Sequence, residues 1–161
     1  MADALAEKLS SFNPDVVIGM PTLGLSLARL VADRLGHRRF VALGTSRKFW
    51  YDDALSVPLS SITSPDAQKR LYLDPRMLPV LDGARVCLID DVISSGASIC
   101  AGLDLLAKVD ITPVSIGAAM LQTRRWVARL DQTYQDASQT VRGVFETPLL
   151  VASGAGWKPN A

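Results

Sequence analysis

Two adjacent acids, Asp90 and Asp91, follow a continuous apolar run and lead into a short stretch of small and hydroxyl residues. If the stretch after the acids binds a phosphate, the two carboxylates would repel it unless they bind hydroxyls or a metal ion. A ribose diol with Mg²⁺ nearby therefore best explains why two acids stand here. The small residues let backbone N–H groups and serine hydroxyls surround an anion at the start of a helix. We therefore expect a sugar-phosphate site here. Its loop residues are Ile93, Ser94, Ser95, Gly96, Ala97 and Ser98.

Two further segments carry residues that suit phosphate chemistry. A Gly-x₄-Gly turn at residues 19–24 follows the first apolar run, although turns of this kind are common in α/β proteins. Arg47 and Lys48 follow the second strand candidate and can neutralise charge on a leaving group, unless they are only a solvated surface pair. The inner residues of the turn are Met20, Pro21, Thr22 and Leu23.

The elements around these segments predict a mostly parallel open sheet flanked by helices. Apolar runs that end in a turn and lead into a helical pattern recur along the chain, which is typical of α/β folds. We expect strands at residues 16–18, 40–43, 85–89, 114–121 and 141–145, and helices at 1–12, 25–35 and 98–108. Residues 59–62 and 69–73 are predicted to pair around a turn at 64–66. The expected organisation is a single domain over residues 1–161.

Composition excludes several classes of protein. The chain has 161 residues, of which 48% are apolar and 20% charged, so we expect a folded domain with one core. Its formal net charge of +1 gives no basis for binding nucleic acid through bulk charge. No run of about 18 apolar residues occurs, so no membrane partner is expected and the predicted location is cytoplasmic. Cys87 and Cys100 are predicted to be reduced core thiols.

Residues 86–98 resemble the phosphoribosyl pyrophosphate (PRPP) signature of type I phosphoribosyltransferases. That signature has an apolar run, two acids, two apolar residues and a small-residue loop with Thr-Gly and a closing Thr; Ser95 and Ser98 stand at the two Thr positions. Adenine phosphoribosyltransferases also carry an Arg-Lys pair after the second strand, as Arg47 and Lys48 do here. The likeness to adenine members extends over roughly residues 15–150.

The resemblance implies transfer of the 5-phosphoribosyl group of PRPP to a nucleobase, with release of pyrophosphate. It places the 5-phosphate on loop 93–98 and the ribose hydroxyls on Asp90 and Asp91, directly or through a Mg²⁺ cofactor. It places residues 20–23, Arg47 and Lys48 at the pyrophosphate. The implied catalytic residues are therefore Asp90, Asp91, Arg47 and Lys48, and the implied assembly is a homodimer.

Several departures from the family pattern bear on the substrate. Leu23 stands where adenine members commonly have an Arg, and residues 60–65 lack the Glu of their mobile loop. In 6-oxopurine members an Asp takes the place of Ser94 and a later Lys reads the purine oxygen; neither is evident here, which favours an adenine-like purine. The first strand begins near Asp15, so we expect the N-terminal hood of adenine members to be reduced or missing.

Two alternative functions remain open from the sequence. The first is a non-catalytic relative that senses PRPP or a nucleotide, which the missing Arg and Glu favour. The second is a dinucleotide-binding α/β domain, which is disfavoured because the first turn lacks G-x-G-x-x-G.

Four other clusters have both a functional and a structural interpretation. The aromatic residues 49–51 can stack on a base or pack against the protein. Residues 69–70 can reach a phosphate or form an edge-strand charge pair. His37 is expected to be an exposed turn residue, and residues 124–126 to begin a helix with a solvated or interface face.

Overall fold

Five parallel strands form the central sheet in this computed structural model, which describes residues 1–59, 69–154 and 156–159. All strands in chain order are β1 (Val16–Gly19), β2 (Val41–Ala42), β3 (Ser56–Pro58), β4 (Arg70–Tyr72), β5 (Val86–Ile93), β6 (Ser115–Gln122), β7 (Val141–Thr147), β8 (Leu150–Ser153) and β9 (Gly156–Pro159). The parallel sheet has the order β2-β1-β5-β6-β7, while β3–β4 and β8–β9 are separate antiparallel pairs.

Helices cover both faces of the central sheet. They are α1 (Ala2–Ser10), α2 (Gly24–Arg34), α3 (Leu78–Leu81), α4 (Ala97–Ala107) and α5 (Arg125–Thr133), and short 3₁₀ turns lie at Asp53–Leu55, Pro75–Met77 and Ala137–Thr140. Side chains alternate along β5, because successive residues of a strand point to opposite faces. Val86 and Leu88 join the core cluster that includes α4 and α5, whereas Cys87 and Ile89 join the one that includes α1 and α2. This double cover explains why β5 is a continuous apolar run.

The predicted parallel sheet and its flanking helices are confirmed. Helix α1 falls within the predicted 1–12, α2 within one residue of 25–35, and α4 within one residue of 98–108. The strand predicted at residues 85–89 is longer than expected: β5 continues through both acids to Ile93, since Asp90 pairs with Ala118 of β6 in the ladder. The acids are therefore inside the strand, and the expectation that they end it is wrong.

The two hairpins were predicted less well. Strand β3 occupies Ser56–Pro58 and pairs with Arg70–Tyr72, so the first strand of this pair lies earlier than the predicted residues 59–62. Leu59 follows β3, while residues 60–62 and the turn at 64–66 lie outside the described residues. The β8–β9 hairpin was not predicted, because its short sequence has neither a long apolar run nor strict alternation.

Several singled-out residues take clear positions. His37 is half-buried rather than exposed, and its Nε2 atom is buried without a hydrogen-bond partner among the described residues. Trp126 is buried, so α5 turns its aromatic residue into the core. Cys87 is buried and Cys100 partly exposed, and both are free thiols. Across the described ranges, no helix has the length and hydropathy needed to cross a membrane.

Arg70 fits the structural interpretation of residues 69–70. It begins β4 and donates hydrogen bonds from its guanidinium to Ser56 Oγ across the hairpin, at 2.8 and 3.0 Å. A phosphate contact for residues 69–70 stays a prediction.

Candidate active site

A cavity of about 320 Å³ opens between the loop after β1 and the loop after β5. In an open α/β sheet this is the edge where ligands bind, because the carboxyl ends of parallel strands meet loops and helix N-termini there. Most residues predicted for the site line the cavity. They are Pro21, Thr22, Leu23, Asp90, Asp91, Ile93, Ser94, Ser95, Gly96, Ala97 and Ser98; Val92 and Ile99, which were not predicted, complete the lining.

The two acids differ in their surroundings. Asp90 is 6% exposed, whereas Asp91 is half-buried and donates its backbone N–H to Asp90 Oδ1 at 2.9 Å. Burial, and next the side chain of Asp91, raise the pKa of Asp90 to about 8. Burial therefore favours the neutral form of Asp90 until a bound group compensates the charge. Hydroxyl donors or a cation at the cavity would supply that compensation.

Helix α2 approaches Asp90 closely at its first residue, Gly24. A Cβ atom added to Gly24 would lie 2.9 Å from both the Cα and the Oδ1 atoms of Asp90. Only glycine permits this approach, so the second Gly of the Gly-x₄-Gly turn has a packing role at the acid. The Gly-x₄-Gly spacing was visible in the sequence, but the spacing alone did not show that Gly24 contacts Asp90.

The phosphate loop depends on Gly96, which has φ of +79° immediately before α4. The first N–H groups of a helix have no intrahelical acceptor, so those at the start of α4 can bind an anion, although that of Ala97 donates to Ser95 Oγ at 3.4 Å. A Cβ on Gly96 would lie 3.0 Å from Leu130 Cδ1 and 3.2 Å from Trp126 Cβ. Helix α5 therefore packs directly behind the loop and limits position 96 to glycine.

Gln122 is a site neighbour that sequence reasoning missed. It is the last residue of β6, next to β5 in the sheet, and its Oε1 atom accepts a hydrogen bond from Ser94 Oγ at 2.8 Å. The available signal was its position at the carboxyl end of an adjacent parallel strand. The bond connects the phosphate loop to the neighbouring strand end.

The loop after β1 contributes three of its four predicted residues to the cavity lining: Pro21, Thr22 and Leu23. The Pro21–Thr22 peptide bond is cis, and the Leu23 side chain is 69% exposed. Met20 is fully buried and donates its backbone N–H to Ile89 O at 2.8 Å. Its side chain therefore belongs to the core, and only its backbone adjoins the loop.

Arg47 and Lys48 are not among the residues that line the cavity. They lie between β2 and β3, where the guanidinium of Arg47 donates to both carboxylate oxygens of Asp53, at 2.7 and 3.2 Å. The hydrogen bond to Asp53 raises the pKa of Arg47. The structure thus brings together the acids, the phosphate loop and the loop after β1, and places the cationic pair outside this group.

Comparison with known proteins identifies the family to which this chain belongs. Residues 1–148 match the model of the phosphoribosyl transferase domain. The chain belongs to this family. It is also 31% identical, over 126 residues, to the bifunctional protein PyrR of Streptomyces coelicolor. That match covers 77% of this chain but 61% of PyrR, so the aligned part is less than two thirds of the relative's length.

Solved phosphoribosyltransferase structures share the fold. Adenine phosphoribosyltransferase from Thermoanaerobacter pseudethanolicus superposes with a TM-score of 0.69 at 20% identity, over 91% of this chain and 77% of that one. The enzyme from Giardia lamblia, in complex with 9-deazaadenine, gives 0.68 at 20% identity, over 91% and 79%. A purine phosphoribosyltransferase from Pyrococcus horikoshii gives 0.58 at 22% identity, over 91% and 80%. At these identities the likeness shows the fold alone, while the match to the domain model confirms the family resemblance that the sequence predicted.

Proposed function

We propose that this phosphoribosyltransferase transfers the 5-phosphoribosyl group of PRPP to a nucleobase, an adenine-like purine being favoured, with release of pyrophosphate. The observation that carries the proposal is the cavity itself, in which the buried Asp90 and the half-buried Asp91 adjoin a glycine-containing loop at a helix N-terminus. A sugar phosphate has the matching chemistry, since its diol meets the acids and its phosphate meets the loop.

The roles of the residues follow from their positions. The N–H groups of residues 93–98 and the hydroxyls of Ser95 and Ser98 would bind the 5-phosphate. The Ser94 hydroxyl would join them by exchanging its hydrogen bond to Gln122 for one to the phosphate. Asp90 and Asp91 would accept hydrogen bonds from the ribose hydroxyls and favour positive charge as it develops at C1. The rate acceleration would come mainly from positioning and from neutralising the leaving group.

The two carboxylates also fit a role for Mg²⁺. Mg²⁺ prefers oxygen ligands and is commonly held by one or two carboxylates together with substrate phosphates and water. The described residues contain no group of three or more acidic, His or Cys side chains arranged around a metal, so the substrate's own oxygens would complete the set. When bound, Mg²⁺ would supply charge neutralisation on the pyrophosphate. Asp90 and Asp91 would hold it directly or through ribose hydroxyls.

The preference for an adenine-like base rests on the side chains beside the phosphate loop. Ser94 offers no carboxylate to act as the base of 6-oxopurine members, and Gln122, to which it donates a hydrogen bond, is a neutral carboxamide. A hydroxyl and a carboxamide suit the polar edge of a neutral base.

A regulatory role is the second candidate, and one observation favours it. Among the described residues that line the cavity, none is Lys or Arg, because Leu23 occupies the loop after β1 and Arg47 is bonded to Asp53. A protein that binds PRPP and signals its level needs no cation at the leaving group. The homodimer and the cytoplasmic location stay predictions.

Turnover distinguishes these candidates. The protein is incubated with PRPP, Mg²⁺ and single bases (adenine, hypoxanthine, guanine, xanthine, uracil), and pyrophosphate and nucleotide are measured. We expect product with adenine, and its loss in the Asp90→Asn/Asp91→Asn double variant with the circular dichroism spectrum unchanged. Asp82→Asn, at an exposed acid outside the cavity, is the control. PRPP binding without turnover supports the regulatory role. Product only with an oxopurine refutes the preference for an adenine-like base. Full activity of the double variant refutes the assignment of Asp90 and Asp91 to the site.

A further inference from the structure

The segment that carries Arg47 and Lys48 is held against the β3–β4 hairpin on one side. Gly44 exchanges two backbone hydrogen bonds with Tyr72 of β4, at 3.0 and 2.8 Å. Tyr51 packs its ring on that of Tyr72, with 5.7 Å between centroids. Both ends of residues 44–51 are therefore in contact with one strand.

Trp50 provides a more specific contact. Its indole N–H donates to Asp74 Oδ2 at 3.3 Å, and the guanidinium of Arg76 lies 4.5 Å from the centre of its ring. We call Trp50, Asp74 and Arg76 the Trp50 anchor. An indole between a carboxylate and a guanidinium is held both in its plane and across its face, which fixes its orientation.

Asp74 is the buried centre of the Trp50 anchor. It is 8% exposed and accepts hydrogen bonds from the backbone N–H of Arg76 at 3.0 Å and from the Arg76 guanidinium. The hydrogen bond from the Arg76 side chain lowers the pKa of Asp74 to about 2. A buried carboxylate that stays ionised needs charge-assisted donors, and the indole N–H is one of them.

The anchor is coupled to the cationic pair through a short turn. Tyr51 donates its backbone N–H to Lys48 O at 3.0 Å, which closes the turn that contains Trp50. The backbone of Lys48 is therefore tied to the residue that Asp74 holds. Trp50 and Asp74 do not line the cavity, so any effect on chemistry would act through the pair.

We propose that Trp50 and Asp74 are positioning residues that set where Arg47 and Lys48 stand relative to the pyrophosphate of PRPP. The proposal rests on the phosphoribosyl transfer proposed above and on the placement of Arg47 and Lys48 at the pyrophosphate, which the family resemblance implies. It assigns to residues 49–51 a role other than stacking on a base. The Trp50 indole orients Arg47 and Lys48, and its contacts with Asp74 and Arg76 hold the indole in place. The ribose phosphate subsite, on loop 93–98 and the acids, is independent of this anchor.

The test uses Trp50→Phe, which removes the N–H donor and keeps an aromatic ring. Its matched control is Tyr134→Phe, which removes another hydrogen bond from an aromatic side chain to a carboxylate, that to Asp104 at 2.5 Å, outside the cavity lining. We measure the Kd of pyrophosphate and of ribose 5-phosphate by calorimetry, kcat with PRPP and base, and the rate of tryptic cleavage after Arg47 and Lys48.

In Trp50→Phe we expect pyrophosphate affinity and kcat to fall by about ten- to a hundredfold, because a misplacement of about 1 Å can cost about a hundredfold. The Kd of ribose 5-phosphate should be unchanged, and tryptic cleavage at the pair should be faster. Asp74→Asn, which still offers an oxygen to the indole, should retain more pyrophosphate affinity than Asp74→Ala. Tyr134→Phe should behave as the wild type in every assay.

Pyrophosphate affinity equal to that of the wild type in Trp50→Phe overturns the proposal, as does equal loss of pyrophosphate and ribose 5-phosphate binding, which would indicate general damage to the fold. Faster cleavage with unchanged pyrophosphate affinity also overturns it. If the wild type shows no turnover while Trp50→Phe selectively weakens pyrophosphate binding, the proposed enzymatic function fails and the positioning role stands.

Discussion

The stability of Asp90→Asn relative to the wild type should increase as the pH rises. The pKa of Asp90 is raised to about 8 from 3.8, first by burial and then by Asp91, so the folded state holds this proton more tightly than the unfolded chain does. The stability contributed by the protonated carboxyl is complete below about pH 4. It is lost as the pH rises towards about 8, because ionisation is easier in the unfolded chain.

The magnitude follows from the pKa difference. Each pH unit between these two pKa values removes about 1.4 kcal/mol from the free energy of unfolding, so roughly 2–3 kcal/mol is lost between about pH 5.5 and about pH 7.5. Asn is neutral at both pH values and keeps the shape of the side chain. The stability difference between Asp90→Asn and the wild type should therefore grow by roughly 2–3 kcal/mol over this range.

The assay is urea unfolding without ligand, followed by circular dichroism at about pH 5.5, 6.5 and 7.5. Asp82→Asn, at an exposed position, is the matched control and should show no comparable change with pH. A constant stability difference between Asp90→Asn and the wild type would show that the buried acid ionises as an ordinary surface carboxylate does. That result would refute the argument that the acid pair needs a ligand to compensate its charge.

Three further predictions concern the residues around the site. Gly96→Ala should lower stability by about 1–2 kcal/mol and weaken ribose 5-phosphate binding measured by calorimetry, since its φ of +79° disfavours a Cβ. Gly24→Ala should cost about 1–3 kcal/mol in urea unfolding and also weaken that binding, because the added Cβ would meet Asp90 at 2.9 Å. Burial raises the pKa of Cys87 to about 12, so an aromatic disulfide reagent should label Cys100 in the folded protein and Cys87 only after unfolding. Rapid labelling of both thiols, or wild-type behaviour of either glycine variant, would contradict these assignments.

The sequence predicted the elements that have strong local signals. An apolar run such as residues 86–89, followed by small residues, is typical of a buried parallel strand that leads into a helix. The structure has both the strand and the helix. The acids were expected at the strand's end because a charged pair usually marks the loss of burial. Pairing with β6 keeps Asp90 in the ladder and buried, which is a tertiary effect that local pattern does not contain.

The contacts between distant segments were not accessible from the sequence. Gly24 faces Asp90 across 66 positions of chain because β1 and β5 are neighbours in the sheet, and strand order is a property of the whole fold. The bond between Ser94 and Gln122 depends on the same kind of adjacency. The sequence did not distinguish whether residues 49–51 stack on a base or pack against the protein. The hydrogen bond from Trp50 to Asp74 that decides this depends on the position of the hairpin in the fold.

A crystal structure of the protein with ribose 5-phosphate bound is the most direct test of the central claim, that the cavity after β5 binds a sugar phosphate. We predict phosphate oxygens within hydrogen-bond distance of the N–H groups and hydroxyls of residues 94–98, and ribose hydroxyls against Asp90 and Asp91. A ligand bound elsewhere on the protein, or a cavity that stays closed by its own side chains at saturating ribose 5-phosphate, would contradict it.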